Sequence, residues 1–191
     1  MTNPTIATPT RPWWQWLLRR WPTALALLLS ALTLGGSGTD EGVRSFAHVL
    51  GLLPLLYLVV AKLEKRRATW PLLVTGLAAV IGLRVLDLIP LAAVWWAIAL
   101  VVLVWGAFDG HLAKSGTLRV QALGMLIFGG LGLLGLIVDP ELARYLIAAG
   151  WFFHGVWDFV HLKLDRVVAR SFAEWCGVVD IVVAAELLLY L

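Results

Sequence analysis

Residues 91–108, LAAVWWAIALVVLVWGAF, form an uninterrupted run of eighteen apolar residues that decides the class of fold. A transmembrane helix needs about 20 mostly apolar residues, and a run of 18 or more without charge is a candidate span. The chain has 191 residues, of which 61% are hydrophobic and 14% charged. Such a composition leaves too little polar surface to cover a soluble domain. The sequence therefore predicts an all-α integral membrane protein.

Six further segments match this run in length and apolar character. We expect seven transmembrane helices in one bundle over residues 13–191, after a polar, disordered tail over residues 1–12. The predicted spans are 13–34, 45–62, 70–89, 91–108, 118–138, 141–162 and 171–190. Residues 129–135 of the fifth span are rich in glycine, which predicts close packing against a neighbouring helix.

The distribution of Lys and Arg predicts the orientation of these spans. If the N-terminus is cytoplasmic, 12 of the 15 basic residues fall on the cytoplasmic side. Short loops with an excess of Lys and Arg stay in the cytoplasm. We therefore predict a multi-pass cell-membrane protein of the bacterial inner-membrane type, with its N-terminus in the cytoplasm and its C-terminus outside.

The net charge and the number of cysteines limit the binding partners and the cross-links that the chain can have. The net charge of +3 is small and spread over loops, so no nucleic-acid surface is predicted. Cys176 is the only cysteine, which excludes an internal disulfide. The expected partners are the lipid bilayer and a hydrophobic small molecule, while the oligomeric state stays open.

Polar residues concentrate in the last two predicted spans, at His154, Asp158, His161, Glu174, Cys176 and Asp180. The first three have the spacing i, i+4, i+7, which places them on one stripe of a helix, and the last two share a face at i, i+4. An ionisable group at the centre of a span costs about 2.5–3.5 kcal/mol on insertion scales, so these residues are candidates for function.

Two chemistries fit this pattern, and the sequence leaves both open. His154, Asp158 and His161 can bind a divalent metal such as zinc, iron or manganese. Alternatively, Asp158 or Asp180 acts as a general acid and His154 as a base without a metal. No other cofactor is predicted.

Two further acids are catalytic candidates on the same side of the membrane. Asp109 follows the fourth span, and its other interpretation is a helix-ending Asp-Gly turn. Glu174 has capping-box spacing from Ser171, which is its other interpretation.

Indole rings supply a candidate substrate pocket. Trp105, Trp157 and Trp175 are predicted to line it and to stabilise a cationic intermediate through their faces. Ordinary packing or an interfacial aromatic belt explains the same residues.

The tail pattern His154-x3-Asp158-x2-His161 followed by Cys176-x3-Asp180 resembles that of small, uncharacterised bacterial multi-pass membrane proteins. This resemblance covers the last two spans and implies no activity. In size and number of spans the chain also resembles the small seven-span terpene cyclases of meroterpenoid pathways, which use membrane-embedded acids. That resemblance implies a cyclase-like architecture and carries over no residue.

Three classes of function follow as hypotheses. The first is a membrane-embedded enzyme that acts on an isoprenoid or lipid in the cytoplasmic half of the bundle. The second is a proton-coupled transporter in which the same residues relay protons and Arg84 completes the path. The third is a non-catalytic membrane subunit whose polar residues only hold helices together.

Overall fold

The computed structural model describes residues 14, 18–32, 36, 38–86 and 89–189, and every regular element among them is helical. Seven helices of ten or more residues follow one another along the described chain. They are α1 (Trp21–Ser30), α2 (Asp40–Leu63), α3 (Thr69–Leu86, entered through the 3₁₀ turn Arg66–Ala68), α4 (Leu91–Phe108), α5 (Gly116–Gly135), α6 (Pro140–Leu164) and α7 (Arg170–Leu189). The predicted all-α class is confirmed for these residues, and the predicted tail lies outside them.

Four of the helices, α2 to α5, are long and apolar enough to cross a membrane. Four such helices indicate a membrane protein. Helices α6 and α7 are also long, with 25 and 20 residues, but they carry most of the buried ionisable groups. The described part of α1 is shorter, at 10 residues.

Helix α2 is the central element of the bundle. In its most apolar stretch 72% of the residues are buried, against 22% for α3 and 28% for α4. One face, with Leu50, Leu53 and Tyr57, packs in a core shared with α6 and α7. Another face, with Leu52 and Leu55, packs in a second core shared with α4 and α5. A helix that is apolar all round is buried on all sides, as α2 is here.

The ends of α6 follow from local sequence. The side chain of Asp139 accepts a hydrogen bond from the backbone N–H of Leu142 at 3.0 Å, and Pro140 occupies the first turn. The helix ends at Leu164, where Asp165 has a left-handed backbone with φ of 49°. The short connection 165–169 then returns the chain antiparallel as α7.

The predicted close packing of the glycine-rich segment in α5 is confirmed at Gly132. A Cβ atom there would lie 2.8 Å from the backbone oxygen of Ala47 in α2, which is closer than real Cβ contacts allow. The absence of a side chain lets the two backbones touch, as small residues do at helix interfaces in lipid. This contact holds α5 against the central helix.

Polar contacts cluster at the two ends of the bundle. At one end, which we call the basic end, ion pairs join Lys62 to Asp109, Arg66 to Asp165 and Arg20 to Glu174. At the opposite end Arg84 donates hydrogen bonds to Glu41 at 2.8 Å and to Ser45 at 2.9 Å. Arg84 is therefore engaged in a link between α2 and α3.

Candidate buried acid–base centre

Two glycines bring α6 and α7 together at the predicted polar stripe. A Cβ atom at Gly155 would lie 3.0 Å from the Cβ of Asp180, and one at Gly177 would lie 3.3 Å from the Cβ of Asp158. Glycine permits this approach at both positions because it has no side chain. The two carboxylates consequently reach the same level of the bundle, where α2 supplies Tyr57.

One ring nitrogen of His154 faces both carboxylates. Its Nδ1 atom is 2.7 Å from Oδ2 of Asp180 and 3.5 Å from Oδ2 of Asp158. The hydroxyl of Tyr57 donates a hydrogen bond to Oδ1 of Asp158. The thiol of Cys176 donates to Oδ1 of Asp180 over 3.8 Å. We call these five side chains the polar centre.

The polar centre is closed from solvent. His154, Asp158 and Asp180 each have 0% exposure. Two ionised carboxylates carry two negative charges, of which an imidazolium cancels one, and an uncompensated charge buried in a low-dielectric interior is strongly destabilising. The centre must therefore hold one further positive charge, as a proton or within a cation.

Two atoms of the centre have unused bonding capacity. Oδ2 of Asp158 and Nε2 of His154 are buried and have no hydrogen-bond partner among the described residues. Buried polar atoms in native proteins are nearly always paired, so each exception calls for an explanation such as an ion or a catalytic role. Both atoms therefore mark the centre as a functional candidate.

A π-helical turn in α5 faces the imidazole. Residues Met125–Gly129 form this turn, and the ring of Phe128 packs edge to face on His154 with 5.0 Å between centroids. Single π turns inside α-helices are rare and occur frequently at functional sites. Nothing in the sequence analysis predicted this turn.

His161 lies two helical turns beyond His154 toward the basic end. Its ring packs edge to face on that of Tyr57 with 5.0 Å between centroids, while its nitrogens point elsewhere. Its Nδ1 donates to the backbone oxygen of Trp157 at 2.8 Å, which leaves Nε2 to accept from the amide of Gln121 at 3.0 Å. Both ring nitrogens of this neutral imidazole are therefore occupied. The structure brings His154, Asp158 and Asp180 together with Cys176, and it places His161 on Gln121 instead.

Glu174 belongs to the basic end. Its Oε1 accepts hydrogen bonds from Thr23 at 2.7 Å and from Arg20 at 3.2 Å, beside an open cleft of about 620 Å³. The hydroxyl of Ser171 accepts instead from the indole N–H of Trp70 at 3.0 Å. The capping-box interpretation is wrong, because α7 already begins at Arg170 and the carboxylate of Glu174 turns toward α1.

Asp109 also lies at the basic end, one residue before a glycine with φ of 70° that ends α4. The ion pair with Lys62, and after it the backbone N–H of His111, hold the pKa of Asp109 below its ordinary value of 3.8. The predicted Asp-Gly turn is confirmed. Asp109 stays outside the polar centre.

The three tryptophans predicted to line a pocket have different surroundings. The ring of Trp105 is half exposed. Trp157 packs beside His161 with 4.9 Å between ring centroids, and Trp175 packs on Trp70 at 5.6 Å. Of the three, Trp157 lies nearest in the chain to the acids of α6.

Sequence reasoning missed Tyr57 and Gln121. Both are polar side chains inside predicted spans, and buried phenol and amide groups need hydrogen-bond partners. That requirement was a usable signal, since it applies to any polar group in an apolar run. The identity of each partner depended on packing between distant parts of the chain.

Comparison with known proteins adds no assignment, because no protein-family model, curated protein or solved structure matches this chain.

Proposed function

We propose that this chain is a seven-span membrane-embedded enzyme that uses the polar centre for acid–base chemistry on an isoprenoid or another lipid-soluble substrate. The observation that carries the proposal is one imidazole whose Nδ1 faces two carboxylates, at 2.7 Å and 3.5 Å, with all three groups fully buried. Titratable groups paired in a desolvated site are a recurring arrangement for proton transfer in catalysis.

The distribution of charge supports a cytoplasmic basic end and N-terminus. Eleven of the fifteen Lys and Arg residues lie there, and the excess of positive charge is typical of the cytoplasmic side. They are Arg19, Arg20, Lys62, Lys65, Arg66, Arg67, Lys114, Arg119, Lys163, Arg166 and Arg170. With this orientation the C-terminus lies outside, and the polar centre lies between the bilayer midplane and the cytoplasmic surface.

The contacts suggest a division of roles within the centre. Asp180 pairs most closely with His154, which leaves Asp158 to hold the additional proton that charge balance requires. Tyr57 fixes one oxygen of Asp158, and the other oxygen has no hydrogen-bond partner within the described part of the chain. In this proposal Asp158 donates its proton to the substrate and regains one from the His154 imidazolium. The neutral His154, oriented by Asp180, then accepts a proton from the intermediate.

An apolar groove supports a substrate that arrives from the lipid phase. It has a volume of about 160 Å³ and lies between α2, α3 and α4, where Leu56, Thr75 and Trp95 are among its lining residues. A groove lined in this way takes hydrocarbon rather than a polar metabolite.

The proposal is tested by comparing the lipids of cells that express the protein with those of cells that express Asp158→Asn or Asp180→Asn. These substitutions preserve shape and remove the acid. We expect a lipid species that changes on expression of the wild-type protein and returns to its background level with either variant. Mass spectrometry of total lipid extracts provides the measurement.

Glu186→Gln is the matched control, because Glu186 is a buried acid of α7 that lies outside the polar centre. This variant should keep the wild-type lipid profile. If Asp158→Asn accumulates to the wild-type level and leaves every lipid class as the wild type does, the enzymatic proposal is wrong.

A second candidate is a proton-coupled carrier, favoured by the row of neighbouring ionisable groups from Asp180 through His154 and Asp158 to Tyr57. Proton carriers use such chains of ionisable groups within the membrane. Proteoliposomes loaded with a pH-sensitive dye distinguish it from the enzyme, because a carrier moves protons with its solute and the enzyme does not. Asp180→Asn should abolish that movement.

A further inference from the structure

We infer that the polar centre is a divalent transition-metal site whose donors suit zinc best. The inference deepens the proposed function and rests on it for the role of the ion, which would take over the acid role in that chemistry while His154 and Asp158 serve as its ligands. His154, Asp158, Cys176 and Asp180 each offer one ligand atom, and these four atoms lie within 4.8 Å of one another. All four residues are buried, so the ion would be enclosed by protein.

Charge balance favours a dication at this position. The centre is electroneutral without a metal only when it carries two protons beyond its neutral imidazole and thiol, for example one on His154 and one on a carboxylate. A single divalent ion replaces both positive charges. The net charge of the buried site is therefore unchanged while Cys176 is a thiol. As a thiolate ligand Cys176 adds one negative charge, which one carboxylate balances by keeping its proton, so that the large cost of a buried net charge is still avoided.

The identity of the donors selects the class of ion. Imidazole nitrogen, thiolate sulfur and carboxylate oxygen together are the ligands of zinc and related transition metals, whereas magnesium and calcium prefer oxygen alone. Four protein ligands are typical of a closed structural zinc site, and an open position arises when one carboxylate is displaced by substrate or water.

The orientation of the ligands supports the same conclusion. Nδ1 of His154 faces both carboxylates, and Oδ2 of Asp158, the atom without a hydrogen-bond partner, lies 3.5 Å from it. Tyr57 holds the other oxygen of Asp158, which is the usual task of a residue behind a metal ligand. A tetrahedral zinc ion holds its ligand atoms at about 2.0–2.3 Å. The four ligand atoms would therefore have to move closer together on binding, and the widest distance between two of them, up to 4.8 Å, would have to shorten by about 1 Å.

The site includes Cys176 and Asp180 and leaves out His161. Cys176 is otherwise a lone buried cysteine, and three other ligand atoms around it distinguish it from a small apolar side chain. His161 has both ring nitrogens occupied by Trp157 and Gln121. The structure thus replaces His161 of the predicted ligand set by Cys176 and Asp180. Substitution of each of these residues in turn tests the new ligand set.

The experiment measures the metal content of the full-length protein purified in detergent, after removal of loosely bound ions and incubation with zinc. We expect about one zinc per chain for the wild type and at least a tenfold lower content for His154→Gln and Asp180→Asn. The matched controls are His161→Gln on α6 and Glu186→Gln on α7, which should keep the wild-type content. Loss of zinc from His161→Gln, or no zinc in the wild type, would overturn the site.

Cobalt substitution supplies a readout that does not depend on these variants folding. A cobalt ion bound to Cys176 should give a thiolate-to-metal charge-transfer band, and Cys176→Ser should lose that band. A wild-type protein that binds cobalt without the band, or a band that persists in Cys176→Ser, contradicts the proposed ligand set. A protein without metal whose lipid profile still depends on Asp158 would refute the metal site and leave the acid–base function intact.

Discussion

Two pairs of helices differ in what they bury. They are α3 with α4, and α6 with α7. The first pair is almost wholly apolar and shows most of its surface to the surroundings, with 22% and 28% of its most apolar residues buried. The second pair buries His154, Asp158 and Asp180 completely in the polar centre. Because lipid is as apolar as the side chains of α3 and α4, apolar surface does little to hold helices together there. We therefore expect the specificity of the bundle to reside in α6, α7 and the central helix.

The largest loss of stability is expected when Asp180 is replaced. Replacement by alanine leaves His154 without its closest partner, and loss of one member of a buried ion pair destabilises by about 3–5 kcal/mol. Thermal unfolding in detergent, followed by circular dichroism, measures the change. Leu100→Ala in α4, where the leucine is 62% exposed, is the control and should change stability little. Equal losses in the two variants would contradict the division between the two pairs.

Substitution of glycines tests whether close backbone contact contributes more to stability in α5 than in α3. Gly132→Val should destabilise by about 1–3 kcal/mol, because its Cβ would lie 2.8 Å from the backbone oxygen of Ala47. Gly82→Ala in α3 meets no atom within 4 Å and should be neutral or stabilising by up to about 1 kcal/mol, from higher helix propensity. The same unfolding measurement applies to both. A neutral Gly132→Val variant would show that α5 does not depend on this close approach.

Tyr57→Phe tests how far the central helix contributes to the polar centre. Its loss removes one hydrogen bond to Asp158, and such bonds in membrane proteins contribute about 0.6–1.7 kcal/mol. If the centre binds a metal, the affinity should also fall by about 10–100-fold, as is typical when a residue behind a ligand is lost. Competition with a chelator measures that affinity. Unchanged stability together with unchanged affinity would remove Tyr57 from the centre.

The smallest effect is expected at the exposed ion pair between Arg66 and Asp165. The hydrogen bond from Arg66 holds the pKa of Asp165 below its ordinary value of 3.8. A lowered pKa in the folded state contributes stability above pH 3.8, and that contribution is lost as the pH falls through the lowered value. Asp165→Asn should therefore reduce stability slightly at neutral pH and not at all in strong acid. A larger loss than that of Asp180→Ala would reverse the comparison between surface and buried pairs.

The pattern of the last two spans was sufficient to identify most of the polar centre. The i, i+4 spacings placed His154 with Asp158 and Cys176 with Asp180, because helical periodicity fixes which residues share a face. Periodicity gave no information about the neighbour of each face. His161 lies on the same stripe of α6 as His154. Its Nε2 nevertheless accepts a hydrogen bond from Gln121 of α5 and does not contact the carboxylates. Glu174 similarly turned to α1, because a charged side chain takes the partner that packing offers.

The sequence alone determined that this protein is helical, that it belongs in a membrane and that its ionisable groups gather in the last two helices. Those properties depend on hydropathy and local periodicity, which can be read from neighbouring residues. Only the tertiary structure decided that Tyr57, 101 residues away in the chain, binds Asp158, and that His161 stays outside the centre. The reason is physical: a buried polar atom needs a partner at about 3 Å, and that partner is set by helix packing rather than by spacing along the chain.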